Sequence, residues 1–218
     1  MASGPVRLVL WDFNGTLLDD AVLCVDCLNA TRVRRGMPEV PLQYYLDHFG
    51  FPVVDFYKKA GFTFETETFT AVAQEWNDLY HQRLWTDVRL HEGTLSVLES
   101  MAGLGLRQGI LSAYHHVMLT KALAHFKVSV PLDPVLGLDD FHADGKEDLG
   151  RSWLESSGLD REGIILIGDT LHDRDVAAAM GIRCALICKG HQASSRLRGA
   201  GVPVLSDIRE VPAFLARP

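Results

Sequence analysis

Several features are scarce in this 218-residue sequence, and each scarcity argues against a class of protein. No stretch approaches the roughly 20 consecutive apolar residues that span a bilayer. The opening "MASGPVRLVLWD" has too short an apolar run for a secretory leader, and an acid follows at once. A soluble, cytoplasmic protein with no membrane partner is expected. Basic charge is scarce too: 21 Lys and Arg stand against 28 Asp and Glu, a formal charge of −7. A chain that grips a phosphate backbone usually carries a basic footprint, so nucleic acid is not expected as a partner. Only four cysteines occur. Cys24 and Cys27 form a C-x-x-C inside a helical pattern, without a redox-type turn, and Cys184 and Cys188 flank an apolar run. Zinc would want two close pairs or histidines at set spacing, so buried reduced thiols are expected instead.

What remains is an ordinary folding composition, 47% apolar and 22% charged. The length allows one sizeable core with a modest inserted lobe. "VRLVLW" is short, apolar and rich in β-branched residues, so it reads as a buried strand. Similar runs are "RQGILSA" near 110, "DPVLGL" near 135, "GIILIG" near 165, "RCALIC" near 185 and a short "VPVL" near 203. Helical patterns lie between them. Leu119, Leu123 and Phe126 share one face, and so do Leu149, Trp153 and Leu154. "RDVAAAMG" makes a short helix closed by Gly181. Strands alternating with helices predict an α/β fold: a Rossmann-like, doubly wound parallel sheet covered on both faces.

One interval breaks this rhythm. From about Ala21 to Leu90 no strand is expected. "AVLCVDCLNATRVRRG", "PLQYYLDHFG" and "PVVDFYKKAG" read as helical pieces, each ending in Gly. Phe69, Val72, Trp76, Leu79 and Tyr80 recur with a 3.6-residue period. The expected organisation is therefore a core of residues 1–20 and 91–218, with residues 21–90 as an inserted α-helical cap. Phe69 and Trp76 are expected in the core of that bundle.

In an open parallel sheet, ligands bind beyond the carboxyl ends of the strands. The first strand ends at Asp12, followed by Asn14, Gly15 and Thr16. The second ends at Ser112, and the fourth at Gly168 and Asp169, with Asp173 four residues on. Lys146 falls in the loop after the third. Carboxylate oxygens are hard ligands suited to Mg²⁺, which keeps water and substrate phosphate in its shell. Asp12 and Asp169 could hold the ion, while Lys146 and the Ser112 hydroxyl could meet phosphoryl oxygens as charge develops. The constellation suits phosphoryl transfer.

The ordered segments "DFNGT", "LSA", Lys146 and "GDTLHD" resemble the haloacid dehalogenase-like hydrolase superfamily, in the branch with a helical cap after the first strand. The overall likeness is greatest to phosphoglycolate phosphatase-like members. The resemblance implies a Mg²⁺-dependent phosphatase acting on a small phosphorylated metabolite. It gives Asp12 the role of nucleophile, transiently phosphorylated. The metal site would use the Asp12 carboxylate, the Asn14 carbonyl and Asp169, with Asp173 as a supporting or water-mediated ligand. The phosphoryl group would be held by Thr16, Ser112, Ala113 and Lys146. The Pro that often follows this Lys in the family is missing here.

Asn14 is the other departure, because the family's phosphatases carry Asp there as general acid and base. An amide neither lends nor takes a proton at neutral pH, and that help is worth about 10²–10⁴ in rate. Several explanations stay open: substrates with good leaving groups, a stand-in among His115, His116 and His172, a weak enzyme that mainly binds, or an Asp→Asn change made to trap a complex. A phosphotransferase or mutase is the same-class alternative, since the phosphoenzyme should live longer. A non-catalytic protein that closes its cap on a phosphorylated ligand is the alternative from another class. Dehalogenation itself is disfavoured, since it leaves the "GDTLHD" carboxylates surplus. In the cap, Arg32, Arg34, Arg35, Lys58 and Lys59 either meet a second anionic group of the substrate or cap solvated helix ends.

Overall fold

The computed structural model describes residues 5–139 and 145–216. In chain order the strands are β1 (Leu8–Trp11), β2 (Leu18–Asp19), β3 (Arg89–Leu90), β4 (Arg107–His115), β5 (Val135–Leu138), β6 (Ile164–Gly168), β7 (Arg183–Ile187) and β8 (Val204–Leu205). The helices are α1 (Ala21–Val33), α2 (Leu42–His48), α3 (Val53–Lys59), α4 (Phe69–Asp87), α5 (Thr94–Gly103), α6 (His116–His125), α7 (Lys146–Ser157), α8 (Leu171–Met180), α9 (Ser194–Leu197) and α10 (Val211–Leu215). Six strands form one parallel sheet in the order β5-β4-β1-β6-β7-β8. This is the doubly wound arrangement, and its order reverses between β1 and β6. The expected α/β class with a parallel sheet therefore holds.

The sheet is buried on both faces because each strand alternates between two apolar layers. Val9 and Trp11 of β1 pack with Ile165 and Ile167 of β6, with Leu98 and Met101 of α5 and with Leu119 of α6. Leu8 and Leu10 point to the opposite layer, with Leu154 of α7 and Val176 and Met180 of α8. Helices α1 to α4 lie in the long connection between β1 and β4, and α1 and α4 pack along each other. Cys24, Cys27 and Leu28 of α1 are buried in this packing. All four cysteines are free thiols. Among the described residues, no helix is long and apolar enough to cross a membrane.

Two details differ from the sequence reading. Residues Arg89–Leu90, inside the interval expected to lack strands, pair antiparallel with Leu18–Asp19 and stitch the two ends of the helical insertion together. A two-residue strand carries no periodicity, so pattern reading passes over it. The second sheet strand also does not end at Ser112. It continues to His115, with a register irregularity between Leu111 and His115. Such a bulge re-aims side chains locally, and here it falls on Ser112 and its neighbours.

Candidate active site

The carboxyl ends of β1 and β6, at the reversal of strand order, bring three acids together. Asp12 follows β1, and its N–H donates to the Ile167 carbonyl at 2.8 Å. Asp169 follows β6. Asp173 is the third residue of α8, where its Oδ2 accepts the Thr170 N–H at 3.0 Å and the Thr170 hydroxyl at 2.6 Å. That reciprocal cap fixes the side chain at a helix N-terminus, where negative charge is favoured. Oxygens of the three carboxylates lie within 4.8 Å of one another, all buried.

Lys146 lies between two of them. It was expected in a loop, and instead it is the first residue of α7, placed there by Gly145 in the left-handed conformation (φ 103°). Its side chain is 2% exposed, and Nζ donates to Asp12 Oδ1 and to Asp173 Oδ1, both at 2.5 Å. One cation against three buried carboxylates leaves surplus negative charge. Burial, opposed by Lys146 and reinforced by Asp173 and Asp169, pushes Asp12 up to about 8. Burial likewise lifts Asp169 to about 6. Asp173 goes the other way: burial would raise it, but the charge and hydrogen bond of Lys146 and the hydrogen bond of Thr170 together hold it below the ordinary range. An all-oxygen donor set with uncompensated charge fits a hard divalent cation such as Mg²⁺. Asp12, Asp169 and Asp173 are the side chains that could hold it.

The other expected residues fall at different distances from this centre. Ser112 and Ala113 line the cavity, and Ser112 is buried, its Oγ accepting the Tyr114 N–H at 3.2 Å. Thr16 is not brought to the cavity wall. Its hydroxyl donates to Asp169 Oδ1 at 2.8 Å and lies 3.4 Å from Asp12 Oδ2, bracing the carboxylates. Asn14 lines the cavity, and its amide is tied to a fourth acid: Nδ2 donates to Asp20 Oδ2 at 2.8 Å and to the Tyr80 hydroxyl at 2.9 Å. Both amide hydrogens are thus used, and the side chain offers the cavity only an acceptor. His115 and His172 line the cavity as well, and the His172 ring stacks on Phe51 at 4.2 Å. His116 is exposed at the start of α6.

Beneath Asn14 lies a polar network that the sequence reading missed. Asp20 receives the Tyr80 hydroxyl at 2.6 Å and the Gly15 N–H at 2.9 Å, and it pairs with His191 Nε2 at 3.3 Å. Burial opposes charge on both partners, yet each holds the other ionised. Asp20 is held low by His191, and His191 is raised to about 9 mainly by Asp20. The His191 N–H also donates to Asp169 Oδ2 at 2.6 Å, so this pair is joined to the acid cluster. Gly15 permits the crowding: its φ is +77°, and a side chain there would strike Asp169 and His191. Position 191 follows the end of β7, so listing every strand end would have found it.

A cavity of about 170 Å³ opens from the acids into the helical insertion. Its far walls carry Tyr45, Phe49, Phe56, Tyr57, Phe69 and Trp76. Phe69 and Trp76 therefore do more than fill the bundle, although both also pack on its core. None of the insertion's candidate cations is among the described lining residues. Arg35 is clamped by Glu67 and Glu75, Arg34 by Glu75, and Lys58 by Asp55, while Arg32 donates to the Pro38 carbonyl. These four serve the insertion's own structure.

Comparison with known proteins agrees with this geometry. A family model described as haloacid dehalogenase-like hydrolase matches residues 9–187. A curated 5'-nucleotidase of Pseudomonas aeruginosa is 27% identical over 193 residues, covering 87% of this chain and 86% of that protein. A solved structure of a predicted phosphatase from Clostridium acetobutylicum superposes with a TM-score of 0.83 at 21% identity, covering 97% of this chain and 99% of the other. A predicted phosphoglycolate phosphatase from Haemophilus somnus 129pt does so with a TM-score of 0.77 at 14% identity, covering 96% and 97%.

Proposed function

The chain belongs to the haloacid dehalogenase-like hydrolases, and on that premise we propose that it is a Mg²⁺-dependent phosphatase, hydrolysing a small phosphomonoester through a phosphoryl group carried on Asp12. One observation carries this reading: the buried contact of Lys146 with both Asp12 and Asp173, beside Asp169, at the point where strand order reverses. The Asp12 carboxylate is the nucleophile. Lys146 orients it and meets a phosphoryl oxygen, with Ser112 Oγ and the Ala113 main chain on the other side. Asp169, Asp173 and the Asn14 carbonyl hold the ion with Asp12, and Thr16 braces Asp169. Mg²⁺ bound there supplies the positive charge that lets two anions approach and brings the Asp12 pKa down. Residues 21–90 act as the cap that excludes water, over a core of 1–20 and 91–218.

The Asn14 amide cannot protonate a leaving group. It can accept a hydrogen bond from an attacking water and so orient it, without taking its proton. The same property supports a second reading, phosphoryl transfer to an acceptor alcohol, because slow hydrolysis leaves time for a competitor. The test is release of inorganic phosphate from a panel of esters with Mg²⁺, repeated with Asp12→Ala. Release by the parent alone is expected. Release by both, or by neither, contradicts the reading. Added alcohol that diverts phosphate into a new ester favours transfer.

A further inference from the structure

Resting on that reading, we propose that the preferred substrate is an aryl phosphomonoester, with phosphate borne directly on a neutral aromatic ring of about one-ring size. Two independent observations lead to the ring and to its direct attachment.

The first is the chamber beyond the acids. Phe56, Tyr57, Phe69 and Trp76 give it a wall of ring faces and edges, and these suit a flat apolar group through offset or edge contacts. Trp76 is held flat against Tyr80, with ring centres 4.9 Å apart, and its Nε1 donates to the Cys24 carbonyl at 3.2 Å, so its orientation is fixed. Among the described lining residues, Lys146 is the only Lys or Arg, and Asp12 and Asp173 already engage it. A second carboxylate or phosphate lying against the ring wall would meet no Lys or Arg there, at a high desolvation cost. The volume of about 170 Å³ covers the acids' end as well as the ring wall, and a cavity of roughly 150 Å³ already accepts benzene, so with the phosphate seated there is room for one ring at most. Asn77, also on the wall, supplies a neutral polar contact.

The second observation is the locked amide. With both Nδ2 hydrogens of Asn14 committed to Asp20 and Tyr80, the side chain donates no proton to a departing oxygen. The bond broken must then yield an anion stable on its own, and a phenolate meets this condition far better than an alkoxide. In the first step an Asp12 oxygen bonds to phosphorus. The bond from phosphorus to the ring oxygen breaks, its electron pair stays on that oxygen, and the phenolate takes a proton from solvent. In the second, water attacks phosphorus and the bond to Asp12 breaks. Asp12 leaves as carboxylate, one water proton departs on the phosphate and the other returns to solvent.

Phenyl phosphate, benzyl phosphate and phosphoglycolate, each with Mg²⁺ and the whole chain, separate the two elements. Phenyl and benzyl phosphate should show similar KM, since both carry the ring, while kcat for phenyl exceeds that for benzyl by about 10²-fold or more. Phosphoglycolate should show a KM at least about tenfold higher. Trp76→Leu, and separately Phe69→Leu, should raise the phenyl phosphate KM several-fold and narrow its lead over phosphoglycolate. Phosphoglycolate matching phenyl phosphate in kcat/KM would overturn the ring. Equal kcat for benzyl and phenyl would overturn direct attachment and assign a proton donor such as His115 or His172. If no ester is turned over, the phosphatase reading fails by itself. Quenching of tryptophan fluorescence by phenylphosphonate against phosphonoacetate then judges the chamber alone: tighter binding of the aromatic ligand supports it, and equal binding overturns it.

Discussion

The edge of the sheet and the helical insertion face each other across one cavity, and they are built on opposite principles. At the sheet edge, ions are buried in a tight net: Lys146, Asp12, Asp169, Asp173, Asp20 and His191 are each placed by a strand end, a helix start or a direct contact with one. In the insertion the wall is aromatic, and the charges that lie nearby are neutralised within it, as Arg35 is by Glu67 and Glu75. Reactivity needs fixed charge in a place water cannot screen, whereas selection needs shape and apolar surface. The first region should therefore govern turnover, and the second the choice among substrates.

Changes at the sheet edge should have the largest effects. Asp12→Ala removes the nucleophile and should lower turnover by about 10⁴-fold or more, read by phosphate release, with the fold intact by circular dichroism. Lys146→Met leaves buried carboxylates facing each other. It should cut turnover by about 10³-fold and destabilise the chain by about 3–5 kcal/mol, measured by denaturant unfolding. A variant of normal stability would mean that the ion pair is weakly held. Chelation of divalent metal should abolish turnover reversibly, since without the ion Lys146 alone does not offset the burial and the neighbouring carboxylates that work against charge on Asp12.

The network beneath Asn14 gives a smaller effect, read through pH. Asp20 is held below its unfolded value, so its contribution to stability is present above about pH 4 and lost as pH falls. His191 is raised to about 9, so its contribution is complete below about 6.5 and lost as pH rises through 9. In metal-free protein the raised Asp169 lowers stability as pH rises from about 4 to about 6, and the raised Asp12 does so from about 4 to about 8, so only Asp12 overlaps the His191 window. Denaturant melts of metal-free protein should show stability falling between pH 6.5 and 9, and His191→Gln should remove part of that fall. An unchanged slope would mean that the pair is not charged.

The smallest effect belongs to the seam between the regions. Arg196 Nη1 donates to the carbonyls of Leu46 and Phe49 at the end of α2, at 3.1 and 2.7 Å. Arg196→Ala should raise KM a few-fold and leave kcat nearly unchanged. A fall in kcat instead would tie the seam to the chemistry.

The same contrast explains what was legible in the sequence. Asp12 and Asp169 could be found because a parallel sheet fixes where its strands must end, and Asp173 because it follows at helical spacing; Ser112 lines the cavity although its strand runs on to His115. Lys146 was found as a residue but not as a helix start, since left-handed Gly145 leaves no mark beyond being glycine. His191 is harder to read, because it stands four residues beyond the end of β7, on no helical or strand pattern. The aromatic wall is legible only in part, as bundle core: the 3.6-residue period of Phe69, Val72 and Trp76 shows that a face is covered, not whether a neighbouring helix or a cavity lies against it. The ring pairs between Tyr57 and Phe69, and between Trp76 and Tyr80, satisfy both readings.

The central claim is that Asp12 carries the phosphoryl group and that Asn14 makes it slow to leave. Rapid acid quenching during turnover of phenyl phosphate with Mg²⁺, followed by peptide mass spectrometry, tests this directly. The account predicts a burst of phenol release matched by a phosphoryl group on Asp12, with Asn14→Asp shortening the life of that adduct. Steady turnover with no phosphoryl group on Asp12, or with the group on another residue, would contradict it.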